Sequence, residues 1–162
     1  LMSIEKIDFS LIKPRLHRWK FNLKTGTTTE EDICDQTIEF GVINQQIAGI
    51  EHQYTYSMIP TKGHFTFDGI TKHDHQKKSL SKYIFPEHIF ISEVSFAPKT
   101  NGTDEDDGYL VTISNDVKEK SSSCLLFDAK NIEQGPICDI PLPHQICSGT
   151  HATWAQKSDL KS

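Results

Sequence analysis

Histidines and isolated carboxylates are the residues of this chain with chemistry to offer. There are eight histidines, and "KHDH" (72 to 75) sets His73 and His75 two positions apart. On an extended backbone they share a face, a spacing that can chelate a metal. The same stretch occupies a polar corner that recurs along the chain with Asn and Asp as its counterparts, so a surface turn is the expected reading. His151 lies in "SGTHATWA" (148 to 155), a small-residue run ending near Trp154. By type alone it reads as a surface histidine on a last strand.

Glu93 raises a sharper question. In "HIFISEVSF" (88 to 96) alternation puts Ile89, Ile91 and Glu93 on one face and Phe90, Ser92, Val94 and Phe96 on the other. Both faces are apolar, so Glu93 is expected to be buried, and a buried carboxylate needs a partner. A metal-bound histidine donating its free ring N–H is one; an Arg or Lys in an ordinary ion pair is the other. Glu39 in "TIEFGVI" (37 to 43) has Thr37 and Gly41 as alternation partners, which reads as a surface position. "DEDDG" (104 to 108) lacks the spacing of a calcium loop and reads as a solvated turn. No phosphate-cradling glycine loop or nucleophile elbow is present.

The elements that must position these groups are strands. "HRWKFNL" (17 to 23), "QYTYSMI" (53 to 59), "HIFISEVSF", "GYLVTISND" (108 to 116) and "CLLFDA" (124 to 129) are short, aromatic and β-branched, with turn residues at their ends. Three stretches also resemble one another: "RWKFNLKTGTTTEEDI", "GITKHDHQKKSLSKYIF" and "CLLFDAKNIEQGPICDI". Each runs from an apolar strand through Asn or Asp and a lysine-bearing turn to a second strand. Their corners, Asn22, Asp74 and Asp128, are 52 and 54 residues apart (74 − 22 and 128 − 74). That period belongs to a β-propeller blade, whereas a free-standing β-sandwich fits the strand density but not the repeat. A ring needs at least four blades. With three repeats and a first residue, Leu1, that is not a start methionine, a fragment lacking its upstream portion is expected.

Composition sets the broad class. Lys and Arg number 17 against 22 Asp and Glu, a net charge of −5, which argues against electrostatic binding of nucleic acid. Apolar runs reach only a handful of residues, far short of the roughly 20 needed to cross a bilayer. Cys34, Cys124, Cys138 and Cys147 contain no C-x-x-C pair, so buried thiols in a reducing, cytoplasmic compartment are expected. Asn101-Gly102-Thr103 reads as a tight turn more than as a glycosylation site.

Taken in order, "RWKFNLKTG" (18 to 26), "IEF" (38 to 40), "HQYTY" (52 to 56), "ITKHD" (70 to 74), "SEVSFAP" (92 to 98), "EDDGYLVTI" (105 to 113), "LLFDAK" (125 to 130), "DIPLP" (139 to 143) and "GTHATW" (149 to 154) resemble the C-terminal part of the carotenoid oxygenases. The resemblance spans nearly the whole chain. It implies an all-β fold, with residues 1 to 162 forming C-terminal blades of a seven-bladed β-propeller. It further implies ferrous iron on the axis, held by four histidines with no carboxylate on the metal. His151, matching a Gly-x-His-Gly-x-Trp motif through Gly149 and Trp154, would be one ligand. Glu39 and Glu93 match glutamates that orient ligand histidines from behind, which overturns the surface reading of Glu39.

Three positions depart from the family pattern: Gly41 and Val94 stand where proline is usual, and Ala152 where glycine is. Ala152 would tilt the ligand loop if that position required positive φ. No other histidine here sits in a matching ligand motif, so the 162 residues alone are not expected to hold iron or to be active. The implied activity is that of a non-haem iron(II) dioxygenase. It would add O2 across a conjugated C=C bond of a carotenoid, apocarotenoid or stilbene-like substrate to give carbonyl products, with peripheral contact to a membrane. The competing expectation is a non-catalytic propeller that keeps the fold without iron and binds a partner.

Overall fold

A computed structural model describes residues 7–146, 151–157 and 160, and eleven strands carry its architecture. β1 (His17–Phe21) and β2 (Thr28–Asp32) form a separate two-stranded hairpin. β3 (Glu39–Val42), β4 (Tyr54–Pro60), β5 (Phe67–Asp74) and β6 (Ser79–Ile84) follow as an antiparallel meander. A second meander begins with the short β7 (Ile89–Ile91) and β8 (Ser95–Pro98), which both pair with β9 (Gly108–Asp116). It continues through β10 (Ser121–Asp128) to β11 (Pro136–Pro141). The two meanders join into one sheet through a single strand pairing, Phe67 with Ile91.

The repeat read from sequence is the repeat of the fold. Its three corners close the hairpins β1–β2, β5–β6 and β10–β11. At each, the Asn or Asp side chain accepts backbone N–H groups from the turn: Asn22 from Lys24 and Thr25, Asp74 from Gln76 and Lys77, and Asp128 from Lys130. An Asx side chain that satisfies its own turn closes the hairpin without help from the core.

Two of the sequence expectations change. "HIFISEVSF" is not one strand, because the pairing to β9 slips by one residue between Ile91 with Ser114 and Ser95 with Val111. Residues 92–94 therefore face only two residues of β9, Thr112 and Ile113, as a bulge. Ser92 donates to the Ile113 carbonyl at 2.8 Å, and Thr112 Oγ1 donates to the Ser92 carbonyl at 2.8 Å. The acidic "DEDDG" run is not a solvated turn either. The Glu105 carboxylate accepts the N–H groups of Gln53 and Tyr54 at 2.7–2.9 Å, and the buried Asp106 binds Lys72 Nζ at 2.7 Å. This loop thus clamps the second meander onto the start of β4. Asn101 adopts φ 63°, in keeping with the tight-turn reading.

The core lies along the meanders and joins Tyr56, Met58 and Ile70 to Val94, Phe96, Leu110 and Phe127, all essentially buried. Val94 anchors the bulge from within: its side chain is wholly enclosed while its neighbour Glu93 is free to point elsewhere.

Candidate functional site

A bulge falls on β3 in the first meander and between β7 and β8 in the second. In β3 the pairing to β4 slips between Glu39 with Met58 and Val42 with Tyr56, so Phe40 and Gly41 oppose Ser57 alone. In the second meander the extra residue lies within 92–94. Glu39 and Glu93, 54 residues apart, are the glutamates at these two bulges. A bulge breaks the alternation of a strand and re-aims a side chain, and bulges concentrate beside active sites. The bulge in β3 is why period-two counting put Glu39 at the surface, whereas the expected burial of Glu93 holds.

The structure brings Glu93 and His151 together. Glu93 Oε2 lies 3.2 Å from His151 Nδ1 and accepts the Ala152 backbone N–H at 2.7 Å. Of the two partners open to Glu93 from sequence, the neighbour is a histidine, not an Arg or Lys. A carboxylate is an acceptor, so the contact selects the tautomer with the proton on Nδ1, which in a neutral imidazole leaves a lone pair on Nε2. The Glu93 side chain is 12% exposed, and that of His151 is 70% exposed. The arrangement is a largely buried carboxylate steering an imidazole, and an imidazole so held suits a ligand to a divalent transition metal. Ala152 is not in a positive-φ conformation, so its Cβ does not tilt the segment.

Glu39 is half-buried at the start of β3, and its carboxylate makes no hydrogen bond or ion pair among the described residues. Its neighbour Phe40 does reach the site. The Phe40 ring meets the His151 ring at 5.4 Å between centroids and 79° between planes. Phe40 has no role that its motif announces, since its φ of 52° leaves no mark in its residue type. A cavity of about 250 Å3 lies beside the pair, lined by Glu93, Val111, Ile113, His151 and Trp154. Gly149 lies outside the described residues.

The "KHDH" stretch departs from the surface-turn expectation. Asp74 makes the turn, but His73 is 3% exposed at the end of β5, and its Nδ1 is buried without a hydrogen-bond partner. His75 accepts from Arg18 at Nδ1 (3.2 Å) and meets Thr55 Oγ1 at Nε2 (2.8 Å). Burial first, then the neighbouring His73, His52 and Arg18, holds its pKa down at about 4. No group of three or more His, Cys, Asp or Glu side chains among the described residues is placed to hold a metal.

A family profile described as "RPE65: Retinal pigment epithelial membrane protein" matches residues 3–156. The carotenoid 9,10(9',10')-cleavage dioxygenase 1 of Phaseolus vulgaris is 28% identical over 160 residues, covering 90% of this chain and 30% of that protein. A carotenoid cleavage oxygenase of Mycobacterium tuberculosis is 30% identical over 149 residues, covering 88% and 29%. Among solved structures, cobalt-substituted Synechocystis ACO superposes with a TM-score of 0.86 at 25% identity, covering 95% of this chain and 33% of that one. The chain spans about a third of the length of the relatives it matches. Its strand-built architecture is that of part of the β-propeller of these enzymes, and the chain belongs to the RPE65 family of carotenoid cleavage oxygenases.

Proposed function

We propose that the chain is the C-terminal part of a single-domain, non-haem iron(II) dioxygenase that cleaves a conjugated C=C bond of a carotenoid, apocarotenoid or stilbene-like substrate. The names of its relatives support carotenoid cleavage as the reaction class. The observation that carries the metal role is the Glu93–His151 pair, a carboxylate-fixed imidazole with its second nitrogen open.

The residues present fit ferrous iron as one corner of a site. Neutral imidazole is an intermediate donor that suits iron(II), and a carboxylate behind it raises its basicity. His151 would hold the metal through Nε2, and Glu93 would hold His151 in the tautomer that leaves Nε2 free. Glu39 would do the same for a histidine upstream of this chain. Iron, when bound, supplies the activation of O2 for the cleavage. The chain's own part is to fix one ligand rigidly and, through Val111, Ile113 and Trp154, to keep its surroundings apolar. Access of a lipophilic substrate would be served by peripheral membrane contact in the cytoplasm.

The test is iron content by elemental analysis of the full-length protein beside its His151→Ala variant. Near-stoichiometric iron that is lost in the variant is expected, with carotenoid cleavage abolished. A folded full-length protein that carries no iron would leave a propeller scaffold and sink the dioxygenase reading.

A further inference from the structure

One strained residue touches the site without a role in it. Phe40 is among four non-glycine residues with positive φ among those described, and the other three, Lys78, Asn101 and Lys120, lie outside the strands. Phe40 alone sits within a strand. A left-handed backbone in a bulky aromatic residue persists only where its surroundings impose it, and such strain concentrates at working sites. Here the surroundings are visible. The ring packs edge-on against Phe67 of β5 at 5.6 Å and 74°, and on to His151 at 5.4 Å and 79°. Phe67 belongs to the buried core.

The hydrogen bond to Glu93 explains one end of the imidazole and leaves another freedom open. Acceptor directions at a carboxylate oxygen are broad, so an N–H···O contact of 3.2 Å fixes which nitrogen is protonated but not the plane of the ring. An edge-to-face aromatic contact does depend on that plane. Among the described residues, the ring contact that bears on that plane is the one to Phe40. We propose that Phe40 is a positioning residue: its left-handed bulge in β3 presents the ring to His151 and sets the imidazole plane that Glu93 alone leaves free. The proposal rests on the reading of His151 as an iron ligand. It also gives the β3 bulge a purpose, since β3 and the bulge carrying Glu93 then grip one imidazole from two meanders.

The experiment uses the full-length protein with Phe40→Leu, Phe40→Gly and Phe40→Tyr beside His151→Ala. Two readings are taken: the rate at which ferrous iron is lost to a competing chelator, and the visible spectrum of the cobalt(II)-loaded protein. Phe40→Leu is expected to lose iron about 10–100-fold faster, the range for partners that orient a metal ligand, and to alter the cobalt bands at unchanged secondary structure. Phe40→Tyr should bring both readings back towards wild type, because it restores an aromatic ring. Should Phe40→Leu fail to fold, Phe40→Gly decides by the same readings, since glycine accepts the left-handed backbone without strain. Wild-type release and an unchanged cobalt spectrum without the ring, while His151→Ala loses its metal, would overturn the role of Phe40 alone. Retention of metal and spectrum by His151→Ala would overturn the ligand reading and this proposal with it.

Discussion

One oxygen of Glu93 accepts two hydrogen bonds, from His151 Nδ1 and from the Ala152 backbone, so a single carboxylate orients both the ring and the segment that carries it. Glu93→Gln keeps the size and an acceptor oxygen but removes the charge that strengthens both bonds. Its iron affinity in the full-length protein is expected to fall about 10–100-fold, read by chelator competition, with the fold intact. An unchanged affinity would mean that the pair is structural only. That His151 and Glu93 belong to one site was legible in motif order, not in residue type, which reads His151 as a surface histidine. Alternation alone left the partner of Glu93 open between a histidine and an Arg or Lys, because the contact joins residues 58 positions apart. Phe40 was the least legible: nothing in a phenylalanine's type announces a left-handed backbone.

Strands and hairpins follow local rules, and at this scale the sequence was most readable. β9 runs over Gly108–Asp116, the stretch expected, and all three repeat corners are Asx-closed turns. Bulges escaped, because alternation counts residues along one strand and a bulge is a mismatch between two. The acidic loop escaped for a similar reason, since its carboxylates find donors on β4 and β5 that lie far away in sequence. The corner at Asp74 adds a pH dependence. Burial first, then His73, His52 and Arg18, holds the folded-state pKa of His75 down at about 4, below its ordinary 6.5, with Asp74 opposing them. The unfolded chain therefore takes up this proton first. The stability tied to the neutral ring is whole above pH 6.5 and is lost as pH falls towards 4. Across that window the urea midpoint of the wild type should drop more steeply than that of His75→Gln. Parallel slopes would place the acid sensitivity elsewhere.

Across the whole molecule the three hairpins are alike in sequence and unequal in what they join. β5–β6 continues onto β4 and β3, and β10–β11 continues onto β9 and then β7 and β8. β1–β2 continues onto no further strand among the described residues. The hairpin also exposes Trp19, Phe21 and, just past β1, Leu23, while polar and acidic side chains fill β2. If the repeat is a blade repeat, two strands belong on the open edge of β1, and its apolar side chains are the part of a blade core that those strands would cover. An uncovered strand edge with apolar neighbours is a template for pairing with another chain. The 162-residue chain on its own is therefore expected to self-associate as its concentration rises through the micromolar range, read by light scattering. Phe21→Lys, which places a charge on that strand, should weaken the association. A sharp monomer throughout would mean that the β1 edge is content without a neighbour, and the hairpin would then be a terminal ornament instead of the outer half of a blade.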